Sequence, residues 1–138
     1  MPSSNTSWQS WLETFVRTQG GVAGTVHRRE GDNLLLAASH NIPPPVVQVV
    51  AIVPKGKGMA GLAFERRQPV QTCNLQTDKT GDVKPGARAV NAQAAIALPV
   101  PDATGETRAV VGLAFANELE ITPEHTARLT AAAGTLPE

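Results

Sequence analysis

Gly56, Gly58 and Gly61, in the stretch GKGMAG, stand at the spacing of a dinucleotide-binding turn, where glycines let the backbone approach a pyrophosphate. That chemistry also requires a preceding strand, a full crossover helix and an acidic residue about twenty positions on. Asp78 supplies an acid, but Pro69 follows Gly61 too soon for a crossover of a dozen or more residues. No Gly-Lys-Ser/Thr closes the run, so a P-loop is excluded as well. Cys73 is the single cysteine, so an internal disulfide cannot form, and its thiol is either a nucleophile or a small buried hydrophobe. Of the three histidines, His27 falls on an expected strand, His40 in the turn after a strand and His125 on the last helix. Each reads as a partly exposed, hydrogen-bonded imidazole, with His40 the first candidate for a ligating role.

The remaining polar candidates gather in one stretch. Between residues 74 and 93 the chain carries Asn74, Gln76, Thr77, Asp78, Lys84, Arg88, Asn91 and Gln93. A loop this long inside a compact domain is usually functional or mobile. Lys84 with Arg88 could hold a small anion such as nitrate or a carboxylate, and the alternative is a set of solvated loop charges. An apolar pocket lining would come from Val46, Val50, Ile52, Met59, Leu62 and Phe64, residues that an ordinary core needs equally.

The elements that must position these groups follow from periodicity. Trp8, Trp11, Leu12, Phe15 and Val16 recur at helical spacing after several N-cap candidates, and Gly20-Gly21 ends this first helix. Residues 22–28 and 33–39 read as a β-hairpin turning at Gly31-Asp32. Pro43-Pro44-Pro45 opens VVQVVAIV, which the flanking prolines mark as a helix of two to three turns, although the same run suits a buried strand. A short helix around Leu62–Glu65, a strand from Pro69 to Cys73, a second hairpin over 92–100 and 108–115 and a helix begun by Thr122-Pro123-Glu124 complete the chain.

At 138 residues, with 41% hydrophobic and 17% charged, the sequence fits one domain (1–138) with one aliphatic core. Twelve basic and twelve acidic residues cancel, and the basic ones form no stripe, so nucleic acid is not an expected partner. No apolar run reaches membrane-spanning length and no signal-peptide pattern opens the chain, so the expected location is cytoplasmic.

The phrases Gly58-Met59-Ala60-Gly61 leading into Gln68-Pro69-Val70, then Ala95-Ile96-Ala97-Leu98-Pro99-Val100, Val110-Val111-Gly112-Leu113-Ala114-Phe115 and Ile121-Thr122-Pro123-Glu124 resemble, in that order, the GAF domain family over about residues 8–135. The resemblance implies an α+β fold of the PAS/GAF/profilin-like kind: a central antiparallel sheet of five to six strands, helices on one side, loops and short helices over the other. On that reading Gly58 and Gly61 serve a tight turn and close packing, and Gly112, within a strand, a bend or the close approach of a neighbouring element.

GAF ligands range over cyclic nucleotides, linear tetrapyrroles, haem, nitrate and amino acids, so the cofactor stays unknown. Cys73 has no neighbouring histidine as a tetrapyrrole attachment would need, and the phrase associated with cyclic nucleotides is missing. The resemblance also extends to free methionine-R-sulfoxide reductases, small GAF proteins with several cysteines. Cys73 alone offers no internal resolving thiol, so it is catalytic only in that alternative. The expectation is a non-catalytic sensing module with ligand contacts from Met59, Phe64, Asn74, Asp78, Lys84, Arg88, Asn91 and Gln93. It acts through a signalling partner and as a homodimer through the Trp8, Trp11, Phe15 helix, unless those rings pack on the chain's own sheet; beside the reductase, a purely structural dimerisation module is the other alternative.

Overall fold

The computed structural model describes residues 3–72, 94–116 and 121–137. Helix α1 spans Ser3–Thr18 and lays Trp8, Leu12, Phe15 and Val16, all buried, against the sheet. These positions fall on one stripe of a 3.6-residue repeat, which is why the segment folds as a surface helix with one apolar face. Strands β1 (Ala23–Glu30) and β2 (Asn33–His40) form the hairpin, with Gly31 at φ 63° supplying the left-handed conformation of its two-residue turn.

Helix α2 covers only Pro44–Val49, with proline in its first turn. Ile52–Pro54 is a third strand, β3, pairing Val53 with Leu34 and Ile52 with Leu35. The expected helix of two to three turns is therefore shorter: its β-branched end leaves the helix and pairs with β2, whose unpaired edge gains hydrogen-bond partners. The glycine-rich stretch that follows is the turn from β3 into α3 (Gly58–Arg66). Gly58 sits at φ 64°, and a Cβ on Gly61 would stand 2.5 Å from the Pro54 carbonyl oxygen, so a side chain is barred at one position by clash and strained at the other by backbone. Arg67, at φ 57°, ends the helix, and β4 (Val70–Thr72) follows at once.

Strands β5 (Ala94–Pro101) and β6 (Thr107–Phe115) form the second hairpin. Helix α4 (Pro123–Ala133) is capped by the Thr122 hydroxyl, which accepts from the His125 backbone N–H at 3.1 Å. The six strands make one antiparallel sheet in the order β3-β2-β1-β6-β5-β4.

The two faces of the sheet are covered differently. On one, α1 and α4 pack over Val26, Ile96, Leu98, Val111, Leu113 and Phe115 in the main core. Trp8 and Phe15 belong to that core, with Trp11 stacked on Phe15 at 4.8 Å between ring centroids. The Trp8 indole N–H donates to the Pro137 carbonyl at 2.8 Å and that of Trp11 to the Thr135 hydroxyl at 3.0 Å. The aromatic face of α1 is thus filled by the chain's own sheet and C-terminal segment. A dimer through this helix would have only the partly exposed Trp11 and the polar face to work with. On the other face α2 and α3 lie over the sheet, with Ala63 and Phe64 packing in a second core with Leu34, Val53, Val70, Ala97 and Val110 of the strands.

Candidate functional site

The second face of the sheet is built from small side chains. Antiparallel register puts Ala23 of β1, Ala114 of β6 and Ala95 of β5 in one cross-strand row, and Thr25, Gly112 and Ala97 in the next. Alternation sends the large neighbours, Ile96, Leu98, Val111 and Leu113, to the opposite face. Two adjacent rows of Ala, Gly and Thr cannot fill the space beneath α2 and α3. What remains is a chamber of about 160 Å³. Ile42, Val46, Val50 and Val53 wall it from one side, and Gly58, Met59 and Ala60 of the first turn of α3 from the other. Gly112 keeps the floor low: a Cβ there would stand 2.6 Å from the Thr25 hydroxyl oxygen.

His27 closes one end, in the row after Thr25, where it pairs with Val110. It is 3% exposed, and its Nε2 lies 2.8 Å from the Val50 carbonyl oxygen at the C-cap of α2. A carbonyl only accepts, so Nε2 carries the proton and Nδ1 presents a lone pair. That Nδ1 is buried and has no hydrogen-bond partner among the described residues. Burial pushes the imidazole below its ordinary pKa, and the Val50 carbonyl offsets this only in part, so the ring is neutral at pH 7. The bond to Val50 satisfies one of the carbonyls that a helix end leaves open, and it fixes the end of α2 over the sheet. The β1–β2 register shifts beside it, between Val26 and His27, an irregularity of the kind that re-aims side chains.

Thr25, His27 and Lys57 are the polar side chains of the described wall, with Lys57 at its exposed end. No pair of carboxylates and no nucleophile–base pair faces the space among the described residues, and no group of three His, Cys, Asp or Glu is placed to hold a metal there. The arrangement suits binding.

Of the residues expected from sequence to contact a ligand, Met59 stands in the chamber wall, whereas Phe64 packs into the neighbouring core with the Lys55 ammonium 5.2 Å from its ring centroid. Ile52 is 59% exposed. Cys73, Asn74, Asp78, Lys84, Arg88, Asn91 and Gln93 lie outside the described residues. The histidine expectation is corrected: His27 is buried with one nitrogen unpartnered, because it falls on the chamber face of a strand flanked by two others. His40 is half-buried beside Asn41, with Asn41 Nδ2 3.3 Å from its Nε2, and His125 rests near the Phe115 ring; neither lines the chamber. The small-residue floor went unread in the sequence. Its signal was the period-2 alternation of small with large in AAIALPV and VVGLAF.

The sequence profile of the GAF domain family matches residues 9–136, nearly the whole chain. The chain belongs to the GAF domain family. Solved structures agree on the fold. The GAF domain of an Acinetobacter phosphoenolpyruvate-protein phosphotransferase superposes with a TM-score of 0.75 at 14% identity, covering 96% of this chain and 79% of that one. The A. aeolicus nlh2 GAF domain, in an inactive state, gives 0.69 at 22% identity, covering 94% and 77%. The type II free methionine-R-sulfoxide reductase from Thermoplasma acidophilum gives 0.74 at 15% identity, covering 94% and 86%. No curated protein sequence matches this chain. The GAF fold supports a small-molecule-binding or regulatory module, and its structural neighbours include both GAF domains of other proteins and methionine-R-sulfoxide reductases. No helix among the described residues is long and apolar enough to cross a membrane.

Proposed function

We propose that this GAF domain is a small-molecule sensor without chemistry of its own, which binds its ligand in the chamber beneath α2 and α3 and signals through a partner protein. The observation that carries this reading is the chamber itself: a partly open, largely apolar space over a floor of Ala, Gly and Thr, at a place where larger residues would have made a tighter core. Met59 of the chamber wall and Phe64 in the core beside it, with Asn74, Asp78, Lys84, Arg88, Asn91 and Gln93, are the proposed ligand-responsive set. A ligand biases such a set only by binding its two arrangements with different affinity. The sensor is further proposed to act as a homodimer in the cytoplasm.

Native mass spectrometry of gently purified protein, followed by denaturation, tests it. A small molecule released on denaturation, whose removal raises hydrogen exchange in α2, α3 and residues 74–91, supports the reading. Equal exchange in the loaded and stripped forms refutes it. The second reading, a methionine-R-sulfoxide reductase, is favoured by the similarity to structures of that activity and by Cys73 directly after β4. The lone thiol weighs against it, because the sulfenic acid formed on Cys73 would need an external thiol for reduction. Thiol-dependent turnover of methionine-R-sulfoxide, abolished by Cys73→Ser, would establish it over the sensor.

A further inference from the structure

We propose that the chamber takes small uncharged molecules with an apolar body the size of a single ring and one hydrogen-bonding group, and that the hydroxyl of Thr25 is the partner of that group. The inference rests on the chamber being the ligand site and adds the chemical class of the ligand. Gly112 stands directly across from Thr25 and leaves its hydroxyl uncovered. The point where a Cβ on Gly112 would stand lies 2.6 Å from Oγ1 of Thr25 and 3.9 Å from its Cβ, so the side chain leans its oxygen over the glycine, into the space a larger residue would fill. That oxygen has no hydrogen-bond partner among the described residues. Thr25 is half-buried and lines the chamber, whereas the unpartnered Nδ1 of His27 is sealed off.

The rest of the lining sets the other requirements. Ala23, Ala97 and Ala114 near Thr25, and Ile42, Val46 and Met59 of the walls, carry no polar side chain, and the cation of the wall, Lys57, stands at the exposed end. A charged group brought inside loses its water without gaining a counter-charge. An uncharged donor or acceptor loses its water too, but a hydroxyl both donates and accepts, so Thr25 restores a bond to either kind. Size is the last limit. A cavity of about 150 Å³ accommodates benzene, so a single ring or its aliphatic equivalent fits.

Toluene, phenol and benzoate share a ring and differ in the group it carries, which makes them the probes. Isothermal titration of the full chain at neutral pH is expected to show phenol binding at least as tightly as toluene, and benzoate weaker than phenol by about tenfold or more. Thr25→Val keeps the shape and the β-branch and removes the hydroxyl. It is expected to weaken phenol by about tenfold, leaving toluene within about threefold. Thr25→Ser keeps the oxygen and is expected to hold phenol within about threefold of the parent chain. It serves as the test should the Val variant not fold. Toluene tighter than phenol by about tenfold in the parent chain, benzoate as tight as phenol, phenol unaffected by Thr25→Val, or phenol lost in Thr25→Ser while toluene is retained would each overturn the assignment and leave the chamber reading standing. Binding of none of the three up to its solubility, or binding that survives Ala114→Val unchanged, overturns both.

Discussion

Ala114→Val puts two methyl groups into the chamber from the middle of the row Ala23, Ala114, Ala95. If the space beneath α2 and α3 is open, those carbons move from water into an apolar surrounding at no steric cost. At about 0.8 kcal/mol per buried carbon the gain is at most about 1.6 kcal/mol, and a β-branched residue in a central strand does not offset it. Unfolding entropy of about 2.1 cal/mol/K per residue, over 138 residues, gives about 0.3 kcal/mol/K. The expected rise in Tm is thus about 5 °C, read by differential scanning calorimetry of protein stripped of any bound molecule. The same substitution should abolish binding of a ring-sized ligand, so stability and binding move in opposite directions. In a close-packed site, extra carbons instead cost about 1–3 kcal/mol through strain. A fall in Tm by several degrees would refute the account of the floor as an unfilled space.

Leu98→Ala, on the opposite, fully packed face, should destabilise by about 2–5 kcal/mol in urea unfolding, since a cavity there has nothing to fill it. Gly61→Ala should cost about 1–3 kcal/mol, because the clash is with the Pro54 backbone and cannot be relieved by a rotamer change; an unchanged midpoint would show that the β3–α3 turn adapts. The His27 contribution to stability should depend on pH. Its folded pKa lies below its unfolded value, so the unfolded chain takes up the proton first on acidification. The contribution is complete above the unfolded value of about 6.5 and declines as pH falls below it, with a slope of at most about 1.4 kcal/mol per pH unit until the folded ring titrates. Urea midpoints between pH 7.5 and 5 should show this slope in the parent chain and a smaller one in His27→Gln.

Where the sequence carries a local physical rule, the structure follows it. The stripe of Trp8, Leu12, Phe15 and Val16, the Gly31-Asp32 turn, the Thr122 cap and the short helix that follows the glycine run in place of a full crossover were all readable from neighbouring residues. The end of α2 was not, because Ile52 and Val53 become a strand only through pairing with Leu35 and Leu34, a partner that local propensity cannot name. The chamber escaped notice for a related reason. Ala23, Gly112 and Ala95 are unremarkable singly, and they become a floor only once register sets three strands side by side. His27 was misjudged because its burial depends on which face of β1 meets α2, a tertiary fact.

The order of strands has a consequence for how the molecule comes into being. At the centre of the sheet β1 pairs with β6, from Ala23 opposite Ala114 to Arg28 opposite Ala109, so the middle of the sheet joins early and late parts of the chain. Each outer wing is local, β1 with β2 and β3 on one side and β4 with β5 on the other, but the floor of the chamber straddles the seam between them. Closing that seam means ordering a long intervening segment first, an entropic barrier that slows folding relative to a protein of local contacts. During synthesis the first hairpin and α1 must wait, their apolar faces uncovered, until β6 has been made. The site thus assembles last.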